Sequence, residues 1–329
     1  MTIENHGRTP PTDEAPVPPP RTAGRRTRRT VLAGGLAGVG AALIGCGADR
    51  PPPAASPSAR PTASGKTRAE TELTELERRF GGRLGVYAVD TGTGEEVRHR
   101  ADERFLMCST HKALTVAAVL RAHQDRPGLL NQVIHYRRAD LLDYAPVTSR
   151  HVGEGMTVAA LCRAAVTRSD NTAANLLLRT VGGPAAVTRF VRTLGDPVTR
   201  LDRDEPHVNE VDGVLDTTSP AHLGASVRAL TLGDALEPHG RGQLLAWLDA
   251  NTTGDRAIRA GCPKGWRIGD KTGSGNHAES NDIAVIRPPR HAPLVLAVFT
   301  APDDPRSTTG QHTIAEAARI VTTALVPRT

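Results

Sequence analysis

Strand-like segments stand at the two ends of the body of this chain, and helical patterns fill the space between them. Near the start, GRLGVYAVD and EEVRHR flank the turn-like TGTG and read as a hairpin. Near the end, RIGDKTGSG, NDIAVI and PLVLAVFT read as three further strands. The stretch from about 109 to 250 is mostly helical in pattern. TRAETELTELERRF, with Leu73, Leu76 and Phe80 at helical spacing, precedes the hairpin, and the amphipathic HTIAEAARIVTTALV closes the chain. This order predicts an α+β fold: the chain ends build one five-stranded sheet flanked by their own helices, and the middle forms a helical lobe. No internal repeat is visible. A site is expected where the two parts meet.

The front of the chain is of another kind. Residues 1 to 30 are rich in Pro, Arg and Thr and lead into an uncharged run from Val31 to Ile44. That run is shorter than the roughly 20 residues a spanning helix needs, so residues 1–45 read as a targeting segment. Arg28-Arg29 followed by Thr-Val-Leu resembles a twin-arginine export signal. Leu43-Ile44-Gly45-Cys46 resembles a bacterial lipobox, in which Cys46 is lipidated and becomes the new N-terminus. An uncleaved anchor and a plain signal peptide are the alternatives; the small residue, the cysteine and the length of the apolar run favour the lipoprotein. Residues 46–67, with their Pro/Ala/Ser bias, then read as a disordered tether, which leaves 68–329 as the folded domain. The expected location is outside the cell, lipid-anchored to the outer face of the cytoplasmic membrane or released.

Charge belongs partly to that front. The first 45 residues hold six arginines against Glu4, Asp13 and Glu14, so half of the formal +6 leaves with the signal. Charges of both signs alternate through the body and only 3% of residues are aromatic, which argues against a nucleic-acid partner. With Cys46 assigned to lipid, Cys108, Cys162 and Cys262 remain. An odd number cannot all pair internally, and each also suits a small buried position. The twelve histidines lack ligand spacing, so neither a metal nor another cofactor is expected.

Three short motifs carry the chemistry. In CSTHK, Ser109 and Lys112 are three residues apart and share a helical face. A serine hydroxyl is a weak nucleophile until a base takes its proton, and a lysine serves when burial and nearby positive charge lower its pKa. His111 is turned about 100° around the helix from its neighbours and reads as a packed or partly exposed side chain, not as a Ser/His relay. Ser169-Asp170-Asn171 follows in AAVTRSDNTAANLLL and Lys271-Thr272-Gly273 in IGDKTGSG. SxxK, SDN and KTG in that order characterise class A β-lactamases and penicillin-binding proteins.

From about residue 68 to 328 the chain resembles a class A serine β-lactamase, of the penicillin-recognising serine enzymes. CSTHKAL, YAPVT, GMTVAALC, SDNTAANLLL, TRLDRDEPHVNE, DTTSP, NTTGDRAIRAG, GDKTGSG and NDIAVI stand in family order. The resemblance implies a β-lactamase/transpeptidase-like fold with an antiparallel sheet, and a monomer that acts on small β-lactam molecules. Ser109 would form the acyl-enzyme, with Lys112 beside it as proton acceptor or as a cation tuning the site, the acylation base being Lys112 or Glu205. Glu205 would activate the deacylating water and Asn209 would help hold it. Ser169 would pass a proton to the leaving nitrogen. Asn171 would bind the substrate's side-chain carbonyl, and Lys271, Thr272, Gly273 and Ser274 would line the substrate strand. Tyr144 would stand at the cleft rim. Asp170 and Asn175 are expected to brace loops, as Asx side chains commonly do.

The chain departs from the family pattern in three places. Arg203 and Asp216 would close the loop carrying Glu205, but VDGVL supplies five residues between Glu210 and Asp216 where the resemblance implies seven. The arginine that would bind the substrate carboxylate is not evident; Arg256, Arg259 and Arg290 are candidates. Gly275 and Val116 stand where some relatives carry cysteines facing Cys108 and Cys162. Two other functions are weighed against hydrolysis of penicillins and cephalosporins. A penicillin-binding peptidase that deacylates slowly has no need of the EPHVN carboxylate, and a non-catalytic binding lipoprotein has no need of Ser109, Lys112, Ser169, Glu205 and Lys271 together.

Overall fold

The computed structural model describes residues 65–326, so Arg28, Arg29, Cys46 and most of the expected tether lie outside the described residues. Helix α1 (Gly65–Phe80) begins two residues before TRAETELTELERRF and takes up the last three residues of the expected tether. Gly65 to Thr67 form its first turn because that end lies against the last helix, where a Cβ on Gly65 would touch the Ala324 carbonyl at 3.5 Å.

The hairpin β1 (Gly82–Asp90) and β2 (Glu96–His99) and the strands β3 (Arg267–Ser274), β4 (Ser280–Arg287) and β5 (Leu294–Pro302) form one antiparallel sheet. Its order is β2-β1-β5-β4-β3. The seam between the chain ends is the β1/β5 pairing, from Gly82 opposite Pro302 to Asp90 opposite Leu294. The continuous apolar run of β5 follows from burial on both faces. Leu294, Leu296 and Val298 join a core under α1 and the last helix, while Val295, Ala297 and Phe299 join the core shared with the helical lobe.

The lobe comprises α2 (His111–Asp125), α3 (Val158–Thr167), α4 (Asn171–Val181), α5 (Pro184–Thr193), α6 (Pro220–Thr231) and α7 (Pro238–Asp249). Helix α8 (Gly310–Leu325) returns to the sheet beside α1. Every residue of α2 from His111 to Leu120 is buried, so this helix runs through the interior instead of presenting one apolar stripe to it. Its N-terminus faces β3, and this junction forms the site.

Candidate active site

Ser109 lies in a short 3-10 turn, Cys108–Thr110, that runs directly into α2. The regular helical face predicted for Ser109 and Lys112 is therefore broken at its start. Cys108 takes φ +47°, a left-handed conformation of order 1–3 kcal/mol for a residue other than glycine. Asn281 on β4 holds the segment from behind, donating from Nδ2 to the carbonyls of Leu106 (2.8 Å) and Met107 (3.2 Å). β3 comes close alongside: a Cβ on Gly273 would stand 3.0 Å from the Met107 carbonyl and 3.2 Å from the Ser109 nitrogen. Only glycine lets the two backbones approach so nearly.

Lys112 is fully buried one helical turn into the site. Its Nζ donates to Ser109 Oγ at 2.9 Å, the Ser169 carbonyl at 2.9 Å, Ser169 Oγ at 3.3 Å and Asn171 Oδ1 at 2.6 Å. It also pairs with Glu205 Oε1 at 2.8 Å. Ser109 Oγ donates to the same Glu205 oxygen at 3.3 Å. Burial would raise the Glu205 carboxyl, but the Lys112 ammonium and the neighbouring His111 outweigh it and hold the group well below the usual carboxylate range. Burial lowers the Lys112 ammonium, against the pull of Glu205.

Ser169 also takes a positive φ, +54°, at the entrance to α4. Lys271 on β3 reaches it from the opposite side, with Nζ donating to Ser169 Oγ at 3.1 Å and to the Thr272 carbonyl at 2.7 Å. Burial, with Lys112 nearby, pulls Lys271 down to about 7. Asp170 touches none of these atoms. It caps α4 at Ala173 N, accepts the N–H groups of Val147 and Thr148, and is fully buried, which fits the brace expected of it. Asn175 clamps the Glu205 backbone in both directions, donating to its carbonyl at 2.8 Å and accepting its N–H at 3.0 Å.

The loop carrying Glu205 closes as the sequence suggests despite its five-residue span. Arg203 Nε donates to Asp216 Oδ2 at 2.6 Å. Asn209 Nδ2 donates to Glu205 Oε2 at 2.6 Å, and the Glu205-Pro206 peptide is cis. The Asn276 N–H reaches the Asn209 carbonyl at 3.2 Å and ties the loop to the β3/β4 hairpin.

These elements enclose a cleft of about 330 Å³ lined by Ser109, Ser169, Asn171, Asn209, Thr272, Gly273 and Ser274, with half-exposed Tyr144 at its edge. Residues 68–325 match the profile of the beta-lactamase enzyme family. The chain is 51% identical to beta-lactamase FAR-1 of Nocardia farcinica over 302 residues, 91% of this chain and 96% of that protein. It is 50% identical to beta-lactamase AST-1 of Nocardia asteroides, over 78% of this chain and 84% of the relative. A solved class A beta-lactamase from Mycobacterium abscessus superposes with a TM-score of 0.77 at 56% identity, covering 78% of this chain and 98% of that one. The chain belongs to the class A serine β-lactamases.

Two lining residues of the enzyme escaped the sequence reading. Thr253 shares a 2.6 Å hydrogen bond with Thr272 Oγ1, and Gln311 stands at the start of α8. Thr253 sits in NTTGDRAIRAG, whose family position was visible; for Gln311 no signal existed. Arg256, Arg259 and Arg290 do not line the cleft. Arg259 is taken up by Asp270, at 2.5 Å. Cys108, Cys162 and Cys262 are free thiols. Among the described residues no group of three or more His, Cys, Asp or Glu side chains is placed to hold a metal. His111 is packed, as expected, but it is wholly enclosed, with Nε2 3.5 Å from Glu205 Oε1.

Proposed function

We propose that this β-lactamase opens the lactam amide of penicillins and cephalosporins through an ester on Ser109 and then hydrolyses that ester with Glu205 as base. The observation that carries the reading is the position of the Glu205 carboxylate, charged and 3.3 Å from Ser109 Oγ. In acylation Ser109 Oγ bonds to the lactam carbonyl carbon and gives up its proton. Lys112 and Glu205 both touch that oxygen; the hydroxyl accepts from the ammonium and donates toward the carboxylate, which favours Glu205 as acceptor. The developing oxyanion is held by the N–H groups of Ser109 and Ser274, beside the N-terminus of α2. As the C–N bond breaks, Ser169 Oγ delivers a proton to the nitrogen and is resupplied by Lys112, which in turn takes the proton held on Glu205 at 2.8 Å, so Glu205 is again a carboxylate before deacylation.

In deacylation Glu205 takes a proton from a water as its oxygen bonds to the ester carbon, and Ser109 leaves with a proton restored. Asn209 Oδ1, buried and without another partner, is a second anchor for that water. Asn171 receives the substrate's side-chain carbonyl and Tyr144 stacks at the rim. The substrate carboxylate meets Lys271 and the hydroxyls of Thr253, Thr272 and Ser274, since among the described residues no arginine lines the cleft. The protein acts as a monomer, exported by the signal of residues 1–45 and held by lipid on Cys46, a reading supported by the sequence motifs there. Glu205→Ala tests the proposal. With penicillin the variant should accumulate a long-lived adduct on Ser109, seen by mass spectrometry, whereas the parent turns over steadily. Hydrolysis at the parental rate would assign the base to another group.

A further inference from the structure

His111 takes no part in the steps above, yet it is wholly buried beside the group that carries the second of them. Its Nδ1 lies 3.2 Å from the Thr115 hydroxyl one turn along α2. Its Nε2 forms no hydrogen bond, and Glu205 Oε1 stands 3.5 Å away. A buried ring nitrogen without a partner is unfavourable, and an apolar side chain could fill the same space without that cost. The ring's proton can be assigned. Thr115 has a hydroxyl proton to donate, so Nδ1 accepts it and the ring proton sits on Nε2. The other tautomer would turn a lone pair toward a carboxylate oxygen. The charged groups acting on the ring are Glu205 from the loop, Lys112 from its own helix and Lys271 from β3. Burial together with the two ammonium groups lowers the imidazole from its ordinary value despite Glu205, so the ring is neutral near pH 7.

Lys112 supplies the reason for such a donor. Its ammonium has three protons but lies within reach of five acceptors: Ser109 Oγ, the carbonyl and hydroxyl of Ser169, Asn171 Oδ1 and Glu205 Oε1. It cannot serve them all at once. We propose that His111 is a positioning residue for the deacylation base, its neutral Nε2–H facing Glu205 Oε1 and holding that oxygen whenever the Lys112 protons are turned to Ser109, Ser169 or Asn171. The inference rests on the reading of Glu205 as base.

Two measurements test it. In the parent protein with ¹⁵N-labelled histidine, the His111 ring should give the neutral signature with the proton on Nε2 from about pH 7 to 8; an Nδ1-protonated ring or an imidazolium in that range overturns the proposal. In single-turnover kinetics His111→Phe should slow deacylation about threefold to tenfold and move its acidic limb up by about half to one pH unit. His111→Gln, whose amide N–H can fall at the place of Nε2, should recover most of both effects. Should the Phe variant fail to fold, His111→Asn, with its shorter reach, replaces it and should show the slowed step. A parental acidic limb in the Phe or Asn variant, or a Gln variant no better than they are, overturns the proposal. Failure of the underlying reading shows separately, as undiminished deacylation in Glu205→Ala.

Discussion

Asp216→Ala should destabilise the protein more than Arg203→Ala, although the two side chains form one ion pair. The asymmetry follows from what each leaves behind. Asp216 is fully buried, and its Oδ1 accepts the N–H groups of Asp202 at 2.7 Å and Arg203 at 2.9 Å while Oδ2 takes the guanidinium at 2.6 Å. Removing that carboxylate strands two backbone donors and takes from the Arg203 guanidinium its shortest carboxylate contact, leaving it the Glu210 carbonyl and the more distant carboxylates of Glu210 and Asp212. Breaking a buried pair in this way costs about 3–5 kcal/mol. Removing Arg203 leaves the carboxylate with both backbone donors and loses the charge-assisted bond together with the one to the Glu210 carbonyl, about 2 kcal/mol in all. For a body of this size the melting temperature should fall by about 10 °C in Asp216→Ala and about 5 °C in Arg203→Ala. Circular dichroism at 222 nm checks this. Because Arg203 lies two residues from Glu205 and the Asp216 carbonyl accepts the Met107 N–H, loosening the latch should slow deacylation more than acylation. The double variant should melt close to Asp216→Ala alone, since the pair is already broken. Equal shifts for the two single variants, or shifts of under about 1 °C, would refute the reasoning from buried donors.

Ser109→Ala should abolish covalent penicilloylation while leaving the melting temperature within a few degrees, because only one hydroxyl at a helix start is lost; a mass adduct on the variant counts against the nucleophile. Lys271, held at about 7 in the free enzyme, should lose its ammonium as pH rises through that value. Accordingly kcat/KM should decline above about pH 7 while kcat declines later, as a bound anionic substrate retains the proton, and Lys271→Arg should remove the basic limb of kcat/KM; coincident limbs would contradict this. Replacing Arg28 and Arg29 by lysine should keep active enzyme inside the cell, and Cys46→Ser should release it from membrane fractions; extracellular or membrane-bound activity equal to the parent's would overturn the respective step.

The sheet was legible because its strands carry their own burial code. PLVLAVFT is apolar at every position of its central run, and β5 is buried on both faces. The three motifs were legible as short contiguous patterns, whereas Arg203 and Asp216 at the two ends of one loop were legible only through the family resemblance. What escaped depends on partners distant in the chain. Cys108 adopts φ +47° between β3 and the Asn281 side chain, and neither neighbour is visible from CSTHK. Arg259 looked free to meet a carboxylate until Asp270 claimed it. His111 meets Glu205, which arrives from a separate loop that CSTHK does not encode.

The charge arrangement explains why SxxK, SDN and KTG must meet at one hydroxyl. Ser169 Oγ stands 3.3 Å from Lys112 Nζ and 3.1 Å from Lys271 Nζ, so it joins two buried ammonium groups that repel each other. Glu205 compensates Lys112 directly at 2.8 Å. Among the described residues no carboxylate makes such a contact with Lys271, and burial with the neighbouring Lys112 lowers it to about 7. A donor of that acidity can release a proton near neutral pH through Ser169 to a leaving nitrogen, and the same site can recover one when the ester is hydrolysed. The positive φ of Ser169 belongs to this arrangement, since the residue presents its carbonyl to Lys112 and its hydroxyl to both lysines at once. A mutation that relaxed Ser169 into an ordinary helical start would surrender one of those contacts, and the proton path between the two lysines would be interrupted at its only shared atom.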